Sequence, residues 1–584
     1  MFIFWGIIGF FQSIFLPGAV ICASLSKEKI GFSKFLVTSF IYSLAANYAL
    51  ICIFLIFGIY TKLPMLITLL LESLYLIYYC YARTKYKIEI KNYDIFKGDP
   101  EQSAKYKLVC YTIFTIVISL AALLVFSFFH KTVYIHIDAI NSWDSWARSW
   151  ASNQYPRTYG DYPQLVPIIM SIPYVFMGSD TIQLFSILSF EFFVLPGLFA
   201  LYTLRKSSLS FPAVTCAVIL LWLNSATRAI APDIHLGTVA VISFVALQWH
   251  LIDLSHGDNE KFYLFTAFLA AAISAVMKQT GLIWYFLFIL VSVYHFRNVG
   301  LHYNAIIKRI LPSAFIALLF CISWYFFNTY LIYIGLVPTK LVSIFTNPAY
   351  YRDRSFIYRA VYCFFHYSYY SIFILPCLRC LFIKRFYPIA ISALVFFGGW
   401  IVFLSYNSAN GKLPVLLSAF SLGFCLEEAL KKNQLSAIKR QISGFFLYFY
   451  NRGLKGLIYG MISFLLIIFI VALPFSDRIN NFLINSRNKQ VLKIGDIGLQ
   501  RRVDYLLKTN PQKLFTCDGR LLQLGSLPPG YYHYCDQADT LKDYGYLVLT
   551  RAGQARINQE ELARDFRLDY QETQFSLFIR KSLY

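Results

Sequence analysis

The residues best able to do chemistry crowd into one stretch, VYIHIDAINSWDSWARSWASNQYPRTYGDYPQLVPIIMSIPYVFMGSD, which runs from Val133 to Asp180. It carries Asp138, Asp144 and Asp161 together with His136, Arg148 and Arg157. A carboxylate held against a hydroxyl can take its proton as that hydroxyl attacks. Trp143, Trp146 and Trp150 recur at i, i+3 and i+7, so on a helix they share one face, with Asp144 beside it. An indole face stacks on the apolar face of a pyranose ring. The plainer reading is an aromatic belt that anchors a loop at a membrane surface. Charge also stands where charge is costly. VMKQTGLIW places Lys278 at the end of an apolar run, and ATRAIAPDIH holds Arg228, Asp233 and His235. A cation near a bilayer is expensive unless it is paired or useful, although a long lysine can also snorkel to the interface.

These groups need a scaffold, and composition says which kind. Of 584 residues, 58% are hydrophobic and only 14% are charged. Soluble domains carry roughly a quarter charged residues. A disordered chain, a fibrous protein and a conventional soluble enzyme are excluded, and a polytopic α-helical membrane protein is expected. The net charge of +22 then marks cytoplasmic loops, not nucleic-acid binding. The first 25 residues lack a basic start and a cleavage site, so they read as a first span. Further apolar runs lie near 36–58, 64–81, 108–129, 183–204, 209–226, 236–254, 262–277, 280–296, 309–333, 355–380, 387–405, 413–430 and 457–475. That makes about 14 spans of ~17–25 residues.

Lysine and arginine set the orientation. The loop at Lys27–Lys34, the loop from Arg83 to Lys107, the turns at Arg205, Lys308 and Lys384, and the stretch from Lys431 to Lys455 all fall on one face if the N-terminus is outside. Within the last, 437–451 reads as a cytoplasmic surface helix. The opposite face carries 130–182, the turn at Arg228–His235, 334–354, 406–412 and everything after about 476. In that tail, strand-like KLFTC, YGYLVLT and FSLFIRK alternate with helix-like VDYLLKT and QEELARDF, as in a small α/β domain. Cys517 and Cys535 lie in it, either disulfide-bonded in an oxidising compartment or as two free thiols. The chain thus divides into N-terminal spans and a cytoplasmic loop (1–107), a central transmembrane region (108–475) and the tail (476–584). Cys377 and Cys380 form a C-x-x-C in an apolar run with no second pair, which argues against a metal there. Glu72 and Glu191 are intramembrane acids read as structural or pore-side.

The order of features resembles the GT-C superfamily of membrane glycosyltransferases, whose members include protein O-mannosyltransferases and aminoarabinose transferases. An acid in the first large outer loop is followed by the aromatic W-D-S-W-A-R helix, G-D-Y-P-Q-L-V-P, an apolar half-helix and Gly-Ser-Asp. Lys278 to Gly281 is similar to the Thr-Lys-x-x-Gly turn of these transferases. In SANGKLPVLL, Lys412 stands where many relatives have an arginine. The likeness covers residues 108–300, and the rest in outline. It implies sugar transfer from a polyprenyl-phosphate donor to a glycan or lipid acceptor, with inversion. Asp144 would be the base, Asp161 would position acceptor or a divalent cation, and Asp138 ranks third. Lys278, Arg228, Arg148, Lys412, His235, Trp143 and Trp146 would hold substrate. The implied setting is a bacterial inner membrane, with the site and the tail on the periplasmic side. Two other classes stand beside it. One is a flippase or transporter of lipid-linked glycans. The other is a polysaccharide polymerase or ligase, for which Lys340, Arg352 and Arg354 in 334–354 are the relevant residues.

The orientation has a direct test. Alkaline phosphatase fused after residue 480 should be active, and a fusion near residue 95 inactive; the reverse pattern would overturn the assignment.

Overall fold

The computed structural model describes residues 2–85, 139–334 and 355–431 with short interruptions, isolated positions at 114–117, and parts of 502–583. The chain forms two compact units, Met1–Cys425 and Leu426–Tyr584.

The first unit is helical. It begins with α1 (Phe2–Ile14), α2 (Leu16–Leu25), α3 (Phe32–Ile56) and α4 (Lys62–Lys85). A π-helical turn (Ala139–Asp144) leads into α5 (Ser145–Ala151), followed by α6 (Leu165–Met177), α7 (Leu184–Glu191) and α8 (Val194–Thr203). Next come α9 (Ser210–Thr227), α10 (Pro232–Asp253), α11 (Glu260–Met277), α12 (Thr280–Asn298) and α13 (Tyr303–Tyr333). The series closes with α14 (Phe356–His366), α15 (Ser368–Ser371), α16 (Ile374–Cys380), α17 (Tyr387–Phe403) and α18 (Lys412–Lys431). The core is built where α10, α11 and α13 pack together, where α1 packs on α6, and where α3 lies on α2 and α8.

Among the described residues seven helices, with α7 and α8 taken together as one, are long and apolar enough to cross a membrane, eight if bent α1–α2 counts as a further span. The expected 457–475 span and the 437–451 helix lie outside the described residues, as does nearly all of 108–129. The segment 355–380 is not one continuous helix: it is interrupted at Ile372 and Phe373, ahead of α16. Proline stands at three of the breaks in the first unit. It has no N–H and its ring clashes with the carbonyl four residues back, so it is tolerated in a first turn. Pro17, Pro196 and Pro376 each stand in the first turn of α2, α8 and α16, and the preceding helix stops just ahead of each.

In the second unit, α19 (Gln559–Asp565) accompanies four strands: β1 (Leu514–Thr516), β2 (Tyr546–Thr550), β3 (Phe566–Gln571) and β4 (Phe575–Arg580). The sheet order is β1-β2-β4-β3, with β1 parallel to β2 and the other pairs antiparallel. Both faces are covered. Tyr546, Val548, Leu577 and Ile579 build one core with Val503 and Leu514. Leu547, Leu549 and Phe578 build the other with Phe515, Leu562 and Phe566. This explains why the central strands read as continuous apolar runs instead of alternating. The expected strands KLFTC, YGYLVLT and FSLFIRK are β1, β2 and β4; β3 was not anticipated. Cys517 and Cys535 lie outside the described residues.

Candidate active site

The π turn ends on Asp144, and α5 continues from it. The wider turn matters because such bulges re-aim a side chain that a regular helix would carry elsewhere. Asp144 is 1% exposed. Its Oδ2 accepts from Arg148 Nε at 2.8 Å and from Gln183 Nε2 at 3.3 Å. Its Oδ1 accepts from the Tyr174 hydroxyl at 2.5 Å. Arg148 is one helical turn on, and its Nη1 reaches Asp180 at 3.3 Å. Asp180 is brought back by Gly178, which takes a left-handed conformation (φ +66) just beyond α6 and donates its N–H to the Tyr174 carbonyl at 2.9 Å. A side chain at that φ would be strained. Burial raises the Asp144 carboxyl above the ordinary range, against Arg148 and the Tyr174 hydrogen bond, which favour the charged form.

The three indoles do not form the expected surface stripe. All are buried, with Trp150 wholly so. Trp143 and Trp146 pack on each other at 5.3 Å between centroids and on Tyr162 at 5.4 and 5.8 Å. Trp150 belongs to a different group: its Nε1 donates to Gln164 at 3.1 Å and its ring meets Tyr155. Trp143, on the π turn, still meets Trp146, whereas Trp150, four residues further along α5, packs against other partners. These rings therefore hold the Asp144 segment in place, and Trp150 is not available for sugar stacking.

A second charged group lies at the ends of α10, α11 and α18. Lys278 Nζ pairs with Asp233 Oδ1 at 2.6 Å, with side chains 11% and 5% exposed. This answers the snorkelling alternative with a buried pair. The turn that carries Lys278 is tight: the Gly281 N–H donates to the Lys278 carbonyl at 2.9 Å. A Cβ on Gly281 would lie 2.0 Å from the Ser274 carbonyl oxygen, so only glycine lets α12 start this close to α11. Lys412, the first residue of α18 and one ahead of the apolar run at 413–430, is 3% exposed. Burial lowers its pKa to about 8; Asp233 opposes the shift and Lys278 adds to it. It also sits at a helix N-terminus, where a cation is disfavoured.

His235 is buried against α7. Its ring lies 3.8 Å from that of Phe190 and its Nε2 meets the Phe190 carbonyl at 2.9 Å, which makes it a lock between α10 and α7. Arg228, Asp161 and Asp138 lie outside the described residues. Tyr174, Gln183 and Asp180 were missed as partners of Asp144. Asp180 was visible within Gly-Ser-Asp, but Tyr174 and Gln183 carry no local signal in an apolar segment. Among the described residues no group of three metal-ligating side chains converges. The two carboxylates of the first group are bridged by Arg148, so they do not fit a divalent cation.

The two lysines and one aspartate make an asymmetric prediction. Removing one partner of a buried pair costs about 3–5 kcal/mol. Lys278→Met leaves Asp233 facing Lys412, whereas Asp233→Asn removes the carboxylate that both lysines face. Melting in lipid or detergent should therefore show Asp233→Asn as the more damaging change, and the double variant as less damaging than the sum. Strict additivity would refute the coupling. No family of known domains, no curated protein and no solved structure matches this chain.

Proposed function

We propose that this protein is a membrane glycosyltransferase that moves a sugar from a polyprenyl-phosphate donor to a glycan or lipid acceptor, on the outer face of a bacterial inner membrane. About 14 spans of the GT-C kind and the periplasmic placement of the tail belong to the same proposal. One observation carries it: a buried carboxylate group and a buried two-lysine group are joined by one short helix. Gln183, just ahead of α7, reaches Asp144. Phe190, near the far end of α7, meets His235, two residues from Asp233. At 1.5 Å per residue those two ends of α7 are about 10 Å apart.

The chemistry follows from lone pairs. A carboxylate has about four acceptor sites. Three of those on Asp144 are used, two on Oδ2 and one on Oδ1. The remaining site on Oδ1 can take the acceptor hydroxyl's proton while Tyr174 keeps donating to the same atom. Arg148 and Gln183 keep the carboxylate from turning. As the hydroxyl oxygen bonds to the anomeric carbon, the bond to the phosphate oxygen breaks, and the phosphate leaves with the electron pair. Direct displacement inverts that centre and needs no carboxylate nucleophile. The growing phosphate charge is met by Lys278 and Lys412. An anion there also relieves the crowding of Lys412 against Lys278 and the α18 N-terminus. A transporter of lipid-linked glycans is the second reading, favoured by the bend between α1 and α2.

Asp144→Asn tests the base. With purified protein in lipid and a radiolabelled polyprenyl-phosphate sugar, turnover should fall ~10²–10⁴-fold. Asp144 is buried and holds three donors, so its replacement also bears on folding, and turnover is compared per folded molecule. Asp180→Asn should be milder, because Asp180 acts only through Arg148. Near-wild-type turnover by Asp144→Asn would reject the reading.

Lys412 gives the pH test. It is a cation below its pKa of about 8 and loses that charge as pH rises through that value. Affinity for polyprenyl phosphate should therefore weaken above pH ~8, and Lys412→Arg should flatten the profile. A wild-type affinity that is level through this range would remove Lys412 from the phosphate site.

A further inference from the structure

The first span breaks at Phe15, away from both groups above, and the break gathers oxygens. Pro17 has no N–H to offer the Ser13 carbonyl. The carbonyls of Gln12 and Ser13 are met from outside the helix: Asn47 Nδ2, on α3, donates to them at 2.7 and 3.1 Å. The Gln12 side chain turns to α4, where its Nε2 donates to Glu72 Oε1 at 3.2 Å. Gln12 and Asn47 are both completely buried. Three oxygens in this set are buried with no hydrogen-bond donor among the described residues: Gln12 Oε1, Asn47 Oδ1 and Glu72 Oε2.

Flipping the amides does not remove the excess. Asn47 must present its NH₂ to two carbonyls, which only accept. Turning Gln12 round would set its oxygen against a carboxylate oxygen. What is left over is acceptor capacity around one carboxylate, inside the apolar part of the bundle. No lysine, arginine or histidine among the described residues pairs with Glu72. Lys62 is on the same helix, but ten residues away, about 15 Å along the axis, and its ammonium lies over the Trp5 ring at 4.2 Å. Each unsatisfied polar group costs several kcal/mol in this setting.

We propose that the break in the first span is a monovalent-cation site, in which Glu72 Oε2 and Gln12 Oε1 take a proton or a sodium ion, with Asn47 securing the freed carbonyls behind them. One carboxylate is neutralised by one positive charge. A divalent ion would leave a net charge in the apolar region and ordinarily recruits more carboxylates. Broken membrane helices, whose freed carbonyls and flanking side chains gather around a cation, are a known physical solution for Na⁺ and H⁺. The site does not depend on the glycosyltransferase reading, because none of its residues belongs to the Asp144 or Lys278 groups.

The test uses a hydrophobic carbodiimide on the full-length protein in lipid, with peptide mass spectrometry at Glu72. The acid's O–H adds across one C=N bond and the adduct rearranges with nothing leaving, so the peptide gains the whole reagent. Labelling should occur at Glu72 and vanish in Glu72→Gln. If the ligand is sodium, labelling at fixed pH falls about tenfold at ten times the sodium Kd, while potassium has less effect. If it is a proton, sodium has no effect and labelling falls as pH rises. Gln12→Ala should weaken whichever response the wild type shows. The proposal is overturned if Glu72 is never labelled, or if it is labelled equally at every pH and sodium concentration.

Discussion

A polar backbone group inside an apolar bundle must find its partner inside the protein, and the architecture follows from how this chain meets that constraint. Long uninterrupted helices meet it by themselves, as α3 and α11 do. Proline suspends it at chosen points. Behind Pro17, Pro196 and Pro376 the helix is interrupted and restarted, and carbonyls that would have been bonded within the helix become available. At Pro17 the freed carbonyls are taken by Asn47. The same freedom that costs a helix its continuity lets a polar side chain of another helix enter.

Charge is handled in sets rather than in pairs. Asp144, Asp180 and Arg148 share one cation between two carboxylates. Asp233, Lys278 and Lys412 place one carboxylate among two ammonium groups. Among the described residues the first set holds two carboxylates and one cation and the second one carboxylate and two cations, and both are largely closed off from solvent. A fully paired set would be a structural device and no more. An unbalanced buried set attracts the missing charge: a proton leaving a hydroxyl in the first case, an anion in the second. In the proposed reaction these are the two charges that move.

Sequence showed the parts that depend on local pattern. The membrane class, most helix ranges and three of four tail strands follow from hydropathy and period. The fourth strand, β3, stayed hidden because it is an edge strand, half of its residues exposed, carrying Arg567 and Asp569 and starting directly where α19 ends. The Asp144–Arg148 pair was legible as i, i+4 spacing. Lys278 and Asp233 are 45 residues apart, and Tyr174 and Gln183 stand 30 and 39 residues from Asp144, so no local rule brings them together. The tryptophan stripe differed because spacing gives a shared direction and not a partner: Trp143 and Trp146 meet Tyr162, while Trp150 is claimed by Gln164 and Tyr155.

The burial of Asp144 bears on how such a base can work at all. An exposed carboxylate is a weak base, and a buried one with no partner would hold its proton too firmly to act. Here burial raises the carboxyl's proton affinity, while Arg148 and the Tyr174 hydroxyl preserve the charged form. The balance depends on which donor yields. Gln183 sits farthest, at 3.3 Å, and shares Oδ2 with Arg148, so its loss would leave the ion pair intact. Tyr174 is nearest, at 2.5 Å, and touches the oxygen that keeps an open lone pair. A hydroxyl arriving at that lone pair shares Oδ1 with Tyr174 and weakens the existing bond as its own forms. The tyrosine thus sets the basicity of the oxygen that would accept the proton, and the arginine sets its direction.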